Sequence, residues 1–266
     1  MRTFPTPGPI AATVQSGAGS VQITAADRAD TEVRVTPRDP MRAADIRAAE
    51  QAHIDFANGR LTVIVGKRLL SLSRGAVNVD IALPSLSSLA VAVASADVRV
   101  DGTVADCRFD AASGNAALDA VEGNLKAATA SGDIAARRLL GNANVSTASG
   151  DLSIAGLDGG LKFQAASGSA TVGTLRGAVH CRTASGSLTV TDAESGSVSA
   201  ATASGDVEVG VTQGTAANLD LDSRSGTVRS DLTPAAGPES DDRRLAVHAR
   251  TASGDITIRR ATTVPA

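Results

Sequence analysis

The stretch GNANVSTASGDLSIAGLD, residues 141–158, is the unit from which most of the chain is built. A shift of eighteen residues brings TASGD at residues 129–133 onto TASGD at residues 147–151. Two further shifts reach AASGS from Ala165 and TASGS from Thr183. A fixed period of this length is typical of repeat architectures, in which each unit packs on its neighbours.

Each eighteen-residue unit, here called a coil, divides into two halves. A second glycine follows the first after nine residues, as in Gly150 and Gly159, and an alternating apolar pair such as Leu152 and Ile154 follows each glycine. Alternation with a period of two places the pair on one face of a strand, and glycine tolerates a tight turn. The sequence therefore predicts an all-β fold, a right-handed single-stranded parallel β-solenoid with two short strands per 18-residue coil, stacked about 4.8 Å apart.

The same register separates inward from outward positions. Leu161 and Val179 fall in one apolar column, so we expect them in the core. Asn144 falls in an outward column, whereas its neighbour Val145 points inward. Nine corners are expected in sequence order, at Ser95, Ser113, Ser131, Ser149, Ser167, Ser185, Ser204, Ser225 and Ser253.

Three segments are predicted from this register. Residues 1–88 form degenerate coils with a helical insertion at about 41–52 and a capping loop, and residues 89–260 form the regular solenoid with a loop insertion at 233–244. Residues 261–266 form a C-terminal tail. Asp39 and Pro40 are expected to cap the helix, and Asn58-Gly59 predicts a hairpin.

The polar corner residues have structural and functional interpretations. A threonine column at Thr147 and its equivalents could resemble an ice-binding array, but its period places it at an inner corner, with the hydroxyl bonded to backbone. The Asp, Asn or Ser after each corner glycine is expected to bond its own turn. A calcium ladder is the alternative, although the paired glycines of calcium-binding nonapeptides are missing.

Composition excludes several classes of function. The net charge is −3 and Trp and Tyr are absent, which disfavours nucleic acid. We expect a cytoplasmic protein, because residues 1–14 lack the apolar run of a secretion signal and no stretch is apolar over the length needed to span a membrane.

Cys107 and Cys181 are expected to be buried and reduced, on the order of 19 Å apart. No metal, cofactor or catalytic constellation is indicated, and each histidine is expected on the surface.

Two stretches are candidate interaction surfaces. One is an outward basic column, interrupted by polar residues, for which the alternative is an ordinary solvated sheet face. The other is the basic, leucine-containing loop between Gly66 and Gly75, which could instead cap the array. The candidate residues are Lys67, Arg68, Leu69, Leu70, Leu72, Arg108, Lys126, Lys162, His180 and His248.

The repeated TASGD at Thr129, Thr147 and Thr251, and the segment LPSLSSLAVAVASADVRVDG at residues 83–102, resemble a known bacterial family. This is the putative-adhesin β-repeat family, a domain of unknown function also called the toastrack domain. The helix-bearing insertion at about 42–51 is similar as well. The resemblance implies a parallel β-solenoid and, for some members, a place in envelope-stress systems beside membrane-embedded partners. It implies no catalytic residues.

These observations favour a non-enzymatic binding or scaffold protein whose partner is another protein. One alternative is a carbohydrate-active parallel β-helix enzyme, against which stand the missing carboxylate cluster and the scarcity of aromatic residues. The other is a structural protein that assembles end to end. The expected state is accordingly a monomer or an end-to-end oligomer.

Overall fold

The structure is a computed structural model that describes residues 1–66, 75–233 and 243–261. Within these ranges the chain is all-β, with one short helix, α1, at Ala43–Glu50. The first strands are β1 Arg2–Pro5, β2 Ala11–Ala26, β3 Asp30–Pro37, β4 His53–Ala57, β5 Arg60–Ile64, β6 Val77–Pro84, β7 Ser88–Val104, β8 Cys107–Ser113, β9 Ala116–Val121 and β10 Leu125–Ser131. The remaining strands are β11 Ile134–Leu139, β12 Ala143–Ser149, β13 Leu152–Ala165, β14 Ala170–Thr183, β15 Leu188–Ser204, β16 Val207–Val211, β17 Thr215–Ser223, β18 Val228–Ser230, β19 Arg243–Ser253 and β20 Ile256–Arg260.

The chain divides into two compact units, Met1–Ala135 and Ala136–Ala266, and in each the regular coils pair in parallel at the predicted spacing. In the first unit Leu89 lies opposite Cys107, which in turn lies opposite Leu125. In the second unit Leu161 lies opposite Val179. The spacing lengthens by one residue between β14 and β15, where the register shifts after Leu175. The eighteen-residue period is therefore the hydrogen-bonding register of the coils.

Alternate residues of each strand are buried, as the register predicts. Leu161 and Phe163 are 1% exposed, and Val145 is 0% exposed. Their neighbours Asn144 and Lys162 are exposed. The interior of each unit is thus built from matching apolar columns contributed by successive coils.

The prediction of two short strands per coil holds for only part of the chain. It describes β8 to β11, but β13, β14 and β15 run on for 14, 14 and 17 residues. These long strands continue through a glycine with positive φ, such as Gly177 at 138°. A Cβ atom on Gly177 would collide with the carbonyl oxygen of Gly159 in the adjacent coil. Glycine is therefore required here both for the backbone angle and for the close approach of coils.

The residue after each corner glycine links neighbouring coils, which corrects the prediction that it bonds its own turn. Asp151 accepts a hydrogen bond from the backbone N–H of Ser169 at 2.8 Å, and Ser169 accepts one from Ser187 at 3.2 Å. In the first unit Asp97 and Asn115 accept from the equivalent N–H groups one coil further on. This column of acceptors, here called the corner ladder, satisfies backbone donors at the point where the chain turns.

The threonine column lies at the inner corner, and part of it bonds to backbone as predicted. The hydroxyls of Thr183, Thr202 and Thr251 donate to the carbonyl of the corner glycine in the adjacent coil, at 3.2–3.3 Å. The hydroxyls of Thr129 and Thr147 are buried without a hydrogen-bond partner in the described part of the chain. The prediction is therefore wrong for these two positions.

Coils do not follow one another in sequence order at either end, contrary to the prediction. In the first unit β2 lies between β7 on one side and β5 and β6 on the other. In the second unit β19 lies between β15 and β17, and β20 lies between β16 and β18. The inserted strands β2, β19 and β20 are thus hydrogen-bonded to neighbouring strands along both edges.

Antiparallel strands and the helix complete the first unit. β3 pairs with β6, and β4 pairs with β5 through the predicted hairpin, where Asn58 and Gly59 both have positive φ. The predicted helix cap is wrong, because α1 begins after Arg42 and Asp39 instead accepts a hydrogen bond from the N–H of Met41. The buried carboxylate of Asp45 accepts from the N–H groups of Asp39 and Ala76, which anchors α1. The predicted insertion at 233–244 lies mostly outside the described residues, although its last two residues already belong to β19.

The register predicts opposite outcomes for two adjacent substitutions. Val145→Asp places a charge in the apolar interior and should lower the free energy of unfolding by about 4 kcal/mol. Asn144→Asp changes an exposed side chain beside Lys162 and should alter it by less than about 0.5 kcal/mol. Urea unfolding followed by circular dichroism measures both. Equal losses of stability would contradict the register.

The two kinds of corner threonine can also be distinguished. Thr202→Val removes a hydrogen bond to Gly186 and should cost about 1 kcal/mol. Thr147→Val removes a buried hydroxyl that has no partner, so stability should stay the same or rise by about 1 kcal/mol. The two variants are matched in residue type and in column, and thermal unfolding compares them. If Thr147→Val is the more damaging change, the hydrogen-bond assignment is wrong.

Candidate functional site

The predicted interaction residues fall into two groups. Lys67, Arg68, Leu69, Leu70 and Leu72 lie outside the described residues. The other five are exposed on outward sheet faces, with Arg108 and Lys126 in the first unit and Lys162, His180 and His248 in the second.

In the first unit the basic column is partly neutralised. Arg108 lies opposite Lys126 on the neighbouring strand. The Nε atom of Arg108 is 2.7 Å from the Oδ2 atom of Asp110, which lies on the same strand. The guanidinium group of Arg108 is therefore already paired with a carboxylate of its own strand.

In the second unit the basic column runs across five strands in a different order from the sequence. Lys162 lies opposite His180, His180 opposite Ser199, and Ser199 opposite His248. Asp220 follows on the far side of His248. The inserted strand β19 thus brings His248 next to Ser199 and moves Asp220 outward by one strand.

A second outward column lies two residues further along the same strands, and the sequence interpretation missed it. Arg182 lies opposite Ala201, and Ala201 lies opposite Arg250. Gln164 and Asp222 stand at its two ends. The sequence did contain a signal for this second column. Its residues follow those of the first column by two positions, and residues two apart lie on the same face of a strand.

Together the two columns form a concave surface, here called the basic groove. Its floor is the pair of short side chains Ser199 and Ala201 on β15, between taller residues on β14 and β19. Two adjoining depressions of about 540 and 710 Å³ share Arg182, Ala201, Asp220 and Arg250 as lining residues. Basic residues stand on both sides of this floor, and Asp220 and Asp222 lie on the β17 side of the groove.

The positive charges of the groove are only weakly compensated. The Oδ2 atom of Asp220 lies 3.3 Å from Nδ1 of His248 and 3.6 Å from Nη2 of Arg250. These side chains are more than half exposed, so the contacts contribute little stability. Lys162 and Arg182 form no ion pair within residues 1–66, 75–233 and 243–261.

Other arginines of the second unit, unlike Arg182, are paired with carboxylates. Arg176 binds Glu194 through two hydrogen bonds of 2.8 and 3.0 Å. This contact lowers the pKa of Glu194 and raises that of Arg176. Arg259 likewise lies 2.6 Å from Glu208. Fixed carboxylate partners are thus available on this unit, but the groove residues Lys162 and Arg182 are not placed against them.

The described residues offer no reactive or metal-binding centre. Cys107 and Cys181 are both buried and unbonded, and burial raises the pKa of their thiols to about 12 and about 11. They are therefore protonated thiols and poor nucleophiles at neutral pH. In the described ranges no three His, Cys, Asp or Glu side chains are grouped to hold a metal ion, and the three histidines are exposed as predicted.

The fold and the groove together define a class of protein. It is a β-repeat protein with parallel coils and polar outward faces. Among the described residues there is no helix both long and apolar enough to span a membrane.

Sequence comparison then gives the family. Residues 12–262 match the family model described as Toastrack DUF4097, and the chain belongs to this family. No curated protein matches the chain.

Several solved structures are similar to the chain at low identity. One is described as a putative lipid binding protein from Parabacteroides distasonis, with 14% identity, a TM-score of 0.48, and coverage of 97% of this chain and 95% of that chain. Another is described as a putative adhesin from Bacteroides fragilis, with 12% identity, a TM-score of 0.37, and coverage of 97% and 96%. A further putative adhesin, also from Parabacteroides distasonis, has 12% identity, a TM-score of 0.32, and coverage of 96% and 95%.

Proposed function

We propose that the chain is a non-enzymatic binding or scaffold protein, and that the basic groove of the second unit contacts a protein partner. The observation that carries this proposal is that the exposed cationic side chains Lys162 and Arg182, which form no ion pair within the described ranges, line one depression with the short residues Ser199 and Ala201. Their position side by side in one depression distinguishes them from single exposed bases elsewhere on the unit, such as Arg229.

Further features support binding over catalysis. The two cysteine thiols are buried and protonated, which makes them poor nucleophiles. A carbohydrate-active enzyme of this type would need a carboxylate pair flanking the scissile bond. In the described part of the groove, Asp220 is instead in contact with His248 and Arg250.

The proposal also covers the handedness of the fold, the location of the protein and its biological role. The parallel register supports coils of a β-solenoid, which we propose to be right-handed. The free thiols suit a reducing, cytoplasmic location. The family resemblance supports a link to bacterial envelope stress, through a partner protein.

Affinity capture from an extract of the source bacterium tests this proposal. The variant Lys162→Gln/His180→Gln/His248→Gln should recover about tenfold less of the partner than the native chain, because interfacial charge contacts are lost. The control Lys126→Gln/His53→Gln changes exposed residues of the same types in the first unit and should recover the native amount. Thermal unfolding confirms that both variants are folded.

A third variant, lacking residues 67–74, addresses the predicted loop surface. Recovery that is unchanged in the groove variant but lost on loop deletion would assign binding to the loop and contradict the proposal. Equal recovery by all variants would contradict it as well.

A further inference from the structure

We propose that the basic groove binds an acidic segment of a protein, with Arg182 and Arg250 as the side chains that hold its carboxylates. This inference rests on the proposed function and specifies the chemistry of the partner. The two arginines flank Ala201 on the strands to either side of it. Both are exposed, and both line the depressions on the two sides of the shared floor.

The spacing of the arginines suits more than one carboxylate. Two strand intervals separate their Cα atoms, so these lie roughly 10 Å apart. Alternate side chains of an extended segment are about 7 Å apart on one face, within reach of two long, mobile arginines. Guanidinium groups bind carboxylates through paired hydrogen bonds, a geometry that lysine does not offer.

Strand insertion is what creates this pair. If the coils followed sequence order, β17 would lie beside β15 and would place Asp222 next to Ala201. Because β19 is inserted there instead, Arg250 takes this position and Asp222 lies one strand further out. The acidic side chains thus stand at one wall of the groove, leaving its floor between two arginines.

The other basic groups at the groove favour an anionic occupant. Lys162, His180 and His248 line the neighbouring column, and Arg224 lines the depression on the other side of Arg250. Asp220 and Asp222 oppose them, so an acidic ligand competes with these two carboxylates. The whole chain has a net charge of −3, which makes this face a local exception.

The surroundings favour a protein segment over other polyanions. The chain contains no Trp or Tyr, so the groove has no indole or phenol ring on which a sugar or a nucleic-acid base could stack. The outward positions of the two columns carry polar, charged or small side chains, from Gln164 to Ser199 and Ala201. A lipid surface would require apolar side chains beside the charges, as well as the charges themselves.

Peptide binding tests the assignment directly. The probe is a fluorescein-labelled octaglutamate peptide, measured by fluorescence anisotropy at low ionic strength, with octaglutamine as the neutral comparison. Arg182→Gln/Arg250→Gln should raise the Kd for octaglutamate at least about tenfold, because two charge-assisted contacts are lost. The matched control Arg138→Gln/Arg229→Gln removes two exposed arginines of the same unit away from the groove and should change the Kd less than about twofold.

A single substitution at the floor gives an independent test. Ala201→Glu places a carboxylate between the two arginines, where it should occupy them from within the protein. This variant should weaken octaglutamate binding about as much as the double arginine variant, while its Tm stays at or above that of Ala201→Gln. Because the folded state is retained, weakened binding cannot be attributed to unfolding.

Several outcomes would overturn the inference. These are equal binding of octaglutamine, an equal loss in the control variant, unchanged binding by Ala201→Glu, or tighter arginine-dependent binding to phosphatidylglycerol vesicles than to octaglutamate. If partner capture depends on Lys162, His180 and His248 but octaglutamate binding fails these tests, the acidic-segment inference fails and the proposed function stands. If octaglutamate binding passes while partner capture ignores the groove, the proposed function fails instead.

Discussion

The backbone hydrogen bonds between coils are the constraint on which the rest of the structure depends. A parallel strand pairs with another strand at one fixed register, which between successive regular coils such as β13 and β14 is eighteen residues and lengthens by one after Leu175. Wherever the chain turns, donors of this network would be left without acceptors. The corner ladder supplies them with side-chain oxygens of the adjacent coil, such as Asp151 and Ser169. A full column of carboxylates at this spacing would repel itself, and Asn or Ser at several levels reduces the repulsion.

Insertion of the terminal strands follows the same requirement and has a functional consequence. A terminal strand at the margin of a sheet would expose half of its backbone groups, whereas β2 and β19 are paired on both edges. In the second unit the insertion also determines which side chains meet across the outward face. Arg250, instead of Asp222, faces Ala201, and the groove is basic for that reason.

Residue periodicity predicted the register and the buried and exposed positions, and local sequence signals predicted the hairpin at Asn58-Gly59 and the location of α1. These features depend on local spacing, which a sequence displays. The order of the coils was not predictable in this way, because strands that share one period fit one another in almost any order. For the same reason the sequence did not show that Arg182 and Arg250 lie near each other, since their proximity depends on β19 lying beside β15. The corner hydrogen bonds were assigned to the wrong coil because sequence spacing does not show that a neighbouring coil lies closer than the residue's own turn.

Residue-resolved amide hydrogen exchange tests the central claim, that β19 is an interior strand and β17 lies outside it. In a parallel strand, successive N–H groups point to opposite neighbours, so a strand paired on one edge has alternating fast and slow amides. The account predicts slow exchange at every amide of residues 245–251, as in residues 196–202 of β15, and alternating exchange in residues 217–223 of β17. Alternating exchange in β19 together with uniform protection of β17 would restore the order of the sequence and contradict the account.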